Sequence, residues 1–152
     1  MKFLEHKIPP PAVCLLTGLA MWGLARQMPP VVVADAWRWS VAGAFVAAGV
    51  MVAAPAMAAF ARARTTINPV KLDASTLVSG GVFRLTRNPM YLGLTLLLCG
   101  LAVFLAAPWA LLGPLAFVLF ITRYQIIPEE RVMRAKFGAA YEAYAARVRR
   151  WI

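Results

Sequence analysis

The sequence predicts an all-α, polytopic membrane helical bundle of about four transmembrane helices, followed by an amphipathic cytoplasmic helix at the C-terminus. Three observations predict it. The chain of 152 residues is 62% hydrophobic and only 14% charged, with a mean hydropathy of +0.70; helices apolar on every side need a bilayer or a much larger core. From Asn88 to Thr122 there are 35 residues without a formal charge. The lysines and arginines cluster between alternate apolar runs, as the positive-inside bias requires.

The first span is expected from about Pro10 to Ala25. Prolines 9 to 11 open it, and Arg26 with the breaker pair Pro29-Pro30 closes it. Lys2 and Lys7 precede an apolar run, as in a signal peptide, yet Arg26 and Gln27 directly follow the small residues at its end. The segment therefore reads as a retained span. The second is expected from about Trp39 to Ala61, with a kink at Pro55 and a stop at Arg62 and Arg64.

The uncharged stretch beginning at Asn88 would run about 50 Å as one helix, against a hydrocarbon core of roughly 30 Å. It must fold back, at Ala107-Pro108-Trp109. The third span is then Pro89 to Ala107 and the fourth Trp109 to Arg123, with Gly113-Pro114 bending its start. Both are short, so tilt or local thinning of the bilayer is expected. The hairpin returns Arg123, Glu129 and Glu130 to the membrane face that carries Arg87 and Asn88.

The loop from Thr65 to Arg87 has no strong period but is moderately hydrophobic, which suits packing at the bundle mouth. In the tail from Glu129 to Trp151, Met133, Phe137, Tyr141, Tyr144, Val148 and Trp151 recur every three or four residues. They mark one face of a helix that lies in the lipid interface, closes a pocket, or does both. Residues 1 to 152 read as a single domain, with residues 65 to 152 as its ligand-binding part.

Orientation follows from the basic residues. Arg62, Arg64, Lys71, Arg84 and Arg87 lie between spans two and three, and Arg131, Arg134, Lys136, Arg147, Arg149 and Arg150 follow span four. The opposite connections hold only Arg26 and Arg38. Both termini are expected to be cytoplasmic, and the alanine and arginine content suggests a bacterial inner membrane. The net charge of +10 belongs to these loops, so lipid headgroups account for it and no nucleic-acid reader motif is present. Cys14 and Cys99 lie in apolar segments and read as inert thiols. With His6 the only histidine, a histidine-based metal site is not expected.

Taken singly, the polar residues have structural explanations. Asn88-Pro89 suits a helix start, Gly80-Gly81 a turn, Tyr91 an interfacial anchor, and Glu129-Glu130 a helix N-terminus. Their convergence at one mouth is harder to explain. An arginine at the end of an apolar span is costly and points to function. Arginine grips carboxylates, glutamate accepts from an amine or a ribose diol, and aromatic faces stack on purines or cations. The inventory suits a ligand that is zwitterionic, ribosylated and cationic.

The run Ser79-Gly80-Gly81-Val82-Phe83-Arg84-Leu85-Thr86-Arg87-Asn88-Pro89-Met90-Tyr91-Leu92-Gly93 resembles the central motif of the isoprenylcysteine carboxyl methyltransferase and phospholipid methyltransferase families. Pro128-Glu129-Glu130, Phe137-Gly138, Tyr141-Glu142-Ala143-Tyr144 and Val148-Arg149-Arg150-Trp151 continue the pattern. The resemblance covers roughly Thr65 to Ile152. It implies an integral membrane methyltransferase that uses S-adenosyl-L-methionine and a lipophilic acceptor arriving through the bilayer.

It further implies Lys71, Val78, Gly81, Arg87, Asn88, Tyr91, Glu129, Glu130 and Tyr141 as cofactor-binding residues, with Arg123 and Glu130 as candidate catalytic residues. Arg123 would hold an acceptor or cofactor carboxylate; the glutamates would hold cofactor polar groups or accept a proton. Many members carry His where this chain has Asn88, which cannot act as a base at neutral pH. Carboxylate, amine and thiol acceptors all remain open at this level. Two other readings compete: a sterol-reductase-type enzyme using NADPH, gripped by the basic loop residues, and a non-enzymatic membrane subunit.

Overall fold

A computed structural model of the protein describes residues 7–27, 29, 31–63 and 76–152. Among these the structure is all-helical, with no strand. Helix α1 spans Pro10–Ala25, α2 Asp35–Arg62, α3 Pro89–Leu105, α4 Leu112–Ile121, α5 Ile127–Phe137 and α6 Ala139–Arg147. Short 3-10 turns cover Gly81–Arg84 and Pro108–Leu111, and a π-helical turn, Thr122–Ile126, joins α4 to α5.

Proline stands in the first turn of α1 and of α3, where its missing N–H costs nothing and its fixed φ favours the helix. Hydroxyls inside the apolar helices are satisfied locally. Thr17 Oγ1 donates to the Val13 carbonyl at 2.8 Å and Thr95 Oγ1 to that of Tyr91 at 2.9 Å, the one-turn back-bond available to such residues. Helix α2 runs unbroken through Pro55. The chain folds back where expected: Ala106 is left-handed at φ 48°, Ala107 is extended, and Pro108 opens the next turn. The Ala106 carbonyl accepts from the Val31 N–H at 2.8 Å.

Small residues let α2 and α3 pack closely. Ala42 and Gly49, seven apart, are buried on α2 and face Gly100 and Gly93, also seven apart, on α3. A Cβ on Gly49 would lie 2.9 Å from the Gly93 carbonyl oxygen, and one on Gly100 would lie 3.1 Å from that of Ala42. Backbones approach this closely in membranes because lipid supplies no hydrophobic force between helices, and tight packing must hold them together. Gly43, by contrast, faces open space.

Two clusters of buried side chains result. One unites α1, α3, α4 and the π turn through Val13, Met21, Leu98, Phe117, Ile121 and Ile126. The other gathers Ala56, Phe83, Tyr141, Tyr144 and Val148 beneath α6.

Two helical runs, Asp35–Arg62 and Pro108–Phe137, are long and apolar enough to cross a bilayer, while Pro10–Ala25 and Pro89–Leu105 are apolar but shorter. At 1.5 Å per residue the shorter pair reach about 25 Å, a length that matches a bilayer only where it thins locally. The helical run expected to end as a fourth span at Arg123 does not stop there; the π turn carries it on to Phe137. Its uncharged portion ends at Thr122, and α5 beyond it bears Glu129, Glu130, Arg131, Arg134 and Lys136, charges that are costly in an apolar phase.

The tail also departs from a single interfacial helix. Gly138, at φ 50° and ψ −126°, breaks it into α5 and α6, a conformation glycine alone adopts without strain. Met133, Phe137, Tyr141, Tyr144 and Val148 turn inward onto α2 and the Gly81–Arg84 turn rather than outward to lipid. Trp151 leaves this face altogether, packing against the other cluster with its indole N–H donating to Thr122 Oγ1 at 3.2 Å. Most of the loop between α2 and the Gly81–Arg84 turn lies outside the described residues.

Candidate functional site

Folding the hairpin back over itself places the first turn of α3 beside the first turn of α5. Tyr91 OH donates to Glu129 Oε1 at 2.6 Å, and Arg87 Nη2 donates to Glu130 Oε1 at 2.9 Å. Both contacts join residues about forty positions apart in sequence, and they form only because the chain reverses at Ala107-Pro108.

A cavity of about 590 Å³ opens at this junction, within the roughly 300–1,000 Å³ usual for small-molecule sites. The start of α1 (Ile8 to Pro11), the second half of α2 (Ala53, Met57, Phe60), and Leu77, Val78 and Phe83 line its sides. Its roof is Met133, Phe137, Tyr141 and Tyr144. Arg87, Asn88, Tyr91, Gln125, Glu129 and Glu130 supply its polar groups. The walls are otherwise apolar, so the few polar groups define where a ligand's polar end must lie.

The adjacent glutamates have different environments. Glu130 is buried and saturated. Arg150 grips it with Nε to Oε1 at 2.9 Å and Nη2 to Oε2 at 2.8 Å, Arg87 adds its bond, and Arg134 Nη1 stands 3.9 Å away. Burial alone would raise its pKa, but the hydrogen bonds from Arg150 and the charges of Arg87, Arg150 and Arg134 outweigh burial and hold it below the usual carboxylate range. Glu129 has no such guanidinium among the described residues. Burial, with a smaller push from the Glu130 charge, moves its pKa up to about 7, against the opposing hydrogen bond from Tyr91. One carboxylate anchors the structure and the other can exchange a proton near neutral pH.

The expected site residues fall into three groups. Val78, Arg87, Asn88, Tyr91, Glu129, Glu130 and Tyr141 all line the cavity. Gly81 does not; it is exposed at φ 61° and opens the 3-10 turn that positions Phe83. Arg123 is exposed, with its guanidinium 5.6 Å from the centre of the Tyr124 ring, and it does not line the cavity. Arg123 was expected only on the same membrane face as the glutamates, through the chain reversal. The π turn instead brings Gln125 and Ile126 to the cavity wall, as such insertions often do at functional sites. Lys71 lies outside the described residues.

Asn88 also differs from its reading as a simple cap. It occupies the N-cap position of α3, but its side chain makes no cap bond. Its Nδ2 donates instead to the Arg150 carbonyl at 2.9 Å. Thr86 and Arg150 lie within the runs that carry the resemblance, but no local pattern marks them, or Gln125, as site residues. Thr86 Oγ1 shares the Arg150 carbonyl at 3.3 Å, and Gln125, buried, donates to the Ile8 carbonyl at 2.8 Å. The clue for Gln125 was a lone amide just past an apolar span, inside the polar cluster.

A sequence profile of the family described as phospholipid methyltransferase matches residues 37–140. A Haemophilus influenzae protein described as uncharacterized is 41% identical over 63 residues, which cover 41% of this chain and all of that protein. Probable protein-S-isoprenylcysteine O-methyltransferases of the indica and japonica subspecies of Oryza sativa are each 38% identical over 79 residues, covering 50% of this chain and 40% of theirs. The chain thus spans less than half the length of the rice proteins it matches. No solved structure matches it.

Proposed function

The chain belongs to the phospholipid methyltransferase family, and on that premise we propose that it transfers a methyl group from S-adenosyl-L-methionine to a lipophilic amine within the bilayer. The observation that carries this is the junction of α3 and α5, where an apolar cavity meets one arginine and two carboxylates, only one of them committed to guanidinium groups.

The residues present fit the cofactor. Arg87 is the one cationic side chain lining the cavity among the described residues, a group suited to a carboxylate. Glu129 can accept from an ammonium or a ribose hydroxyl. Phe60, Phe83, Phe137 and Tyr141 offer faces for a purine. When bound, the cofactor supplies an electrophilic methyl group on a sulfonium.

The protein's own contribution is positioning, water exclusion and proton acceptance. The α5–α6 roof covers the cavity with apolar side chains. Glu129, held by Tyr91, stands where it can take a proton from a neutralising amine. Glu130 is already neutralised by Arg150 and Arg87, so Glu129, when ionised, is the carboxylate that favours a cationic group. A carboxylate acceptor lacks the clamp that Arg123 was expected to provide, since Arg123 lies outside the cavity.

Nicotinamide-cofactor chemistry is less well supported. Of the basic loop residues, only Arg87 lines the cavity, while Arg62 and Arg84 are exposed away from it and Arg64 and Lys71 lie outside the described residues. The protein is an integral membrane methyltransferase by family and apolar helices. We place four spans in the membrane, with the cavity mouth, the basic α5–α6 face and both termini on the cytoplasmic side of a bacterial inner membrane.

Calorimetric titration of detergent-purified protein with S-adenosyl-L-methionine tests the reading, with NADPH as the control. Micromolar binding of the first without the second is the expected result. Absence of binding by folded protein would overturn it.

A further inference from the structure

Three consecutive residues at the start of α3 grip one piece of backbone near the C-terminus. Thr86 Oγ1 and Asn88 Nδ2 both donate to the Arg150 carbonyl, and the Arg87 N–H donates to the Arg149 carbonyl at 3.0 Å. The Arg150 side chain leaves that tethered peptide to clamp Glu130 through both carboxylate oxygens. Glu130 in turn holds Arg87 Nη2. The arrangement is a closed ring: the 86–88 segment fixes the Arg150 peptide, Arg150 fixes Glu130, and Glu130 fixes the Arg87 guanidinium.

Arg150 itself does not line the cavity, whereas Arg87 does. Arg87 Nη2 is committed to Glu130, and its Nε is shielded within the protein. A guanidinium held by one edge presents its remaining donors in a fixed direction, because the group is planar and its fork is rigid.

Resting on the cofactor reading of the cavity, we propose that Arg150 is a positioning residue that presets Arg87 for the carboxylate of the cofactor's amino-acid end. Without Arg150, Glu130 loses its bidentate partner and is free to pivot onto Arg87 with both oxygens. That would turn the guanidinium away from the cavity and satisfy it internally. The loss is then specific to ligands carrying the carboxylate, whereas a merely structural role would weaken every ligand of the cavity alike.

The test is calorimetry on the full chain in detergent, using S-adenosyl-L-methionine and its decarboxylated analogue as probes. Arg150→Ala is expected to raise the Kd for the first by at least about tenfold, the scale of a charge-assisted hydrogen bond. The Kd for the analogue should stay within about twofold. In a Glu130→Gln background the same substitution should add almost nothing, because the two act through one linkage. Arg147→Ala, exposed on α6, removes the same charge and should change neither Kd.

If Arg150→Ala does not fold, Arg150→Lys takes its place. It keeps the charge without the bidentate fork and is expected to show the same selective loss. Equal weakening of both probes, no weakening, or full additivity with Glu130→Gln would overturn the proposal. A wild-type protein that binds neither probe would overturn the cofactor reading itself, before any variant is compared.

Discussion

Tyr91 and Glu129, on the first turns of α3 and α5, share a hydrogen bond of 2.6 Å at the wall of the cavity. The neighbouring Glu130 is instead tied to Arg87 and Arg150. Two consecutive carboxylates therefore have different acidities and different roles, set by which cations the fold brings to each.

The first prediction follows from Glu129. Its pKa rises on folding from 4.5 to about 7, so between those values the folded state holds more proton than the unfolded one. Stability conferred by the protonated form is fully present below pH 4.5 and is lost as pH rises through about 7. Glu129→Gln should remove this dependence and raise Tm at pH 8 while impairing methyl transfer to an amine. Thermal denaturation of the detergent-solubilised protein across pH 5 to 9 reads the first effect.

Tyr91→Phe takes away the bond that favours the Glu129 carboxylate. The apparent pKa governing the acidic limb of the activity profile should move upward, to above about 7. A profile that stays in place or shifts to lower pH would mean that another group controls proton acceptance.

Glu130→Ala leaves Arg87 without its carboxylate in a site where the pair's side chains are only 12% and 5% exposed. Removing one partner of a buried pair costs about 3–5 kcal/mol. A large fall in Tm is expected together with loss of cofactor binding. Exposed Asp35, paired with Arg38 at 3.1 Å, gives the contrast: Asp35→Ala should change stability by no more than about 1 kcal/mol.

The α2–α3 seam can be tested with two alanines. In Gly49→Ala the new methyl meets the Gly93 carbonyl oxygen at 2.9 Å, so the helices must separate, at about 1–3 kcal/mol. Gly43→Ala meets nothing within 4 Å and should be neutral or mildly stabilising through helix propensity. Denaturation midpoints of the two variants compared with wild type would show whether close backbone approach holds this pair together.

Much of the architecture could be read from the chain. Prolines at the starts of α1 and α3, the long uncharged run and the breaker at Ala107-Pro108 placed the helices and their reversal, because backbone chemistry and bilayer thickness leave few alternatives. The clustering of Arg87, Asn88, Tyr91 and the glutamates followed from that reversal alone. Other features depended on distances no local pattern encodes. The π turn after Thr122 differs from an α-helix only in which carbonyl each N–H meets, yet it carries Gln125 inward and leaves Arg123 outside. The Gly138 break depends on a positive φ that the tail's regular apolar spacing conceals.

The sequence by itself determined a helical membrane protein with one polar mouth, because hydropathy and charge are properties of the residues wherever they lie. Only the tertiary structure decided how the polar groups at that mouth pair. Arg150 and Arg87 reach Glu130 but not Glu129, and a charge-assisted hydrogen bond forms only where donor and acceptor meet, here at 2.8–2.9 Å. That proximity makes Glu130 an anchor and leaves Glu129 as the carboxylate able to exchange a proton.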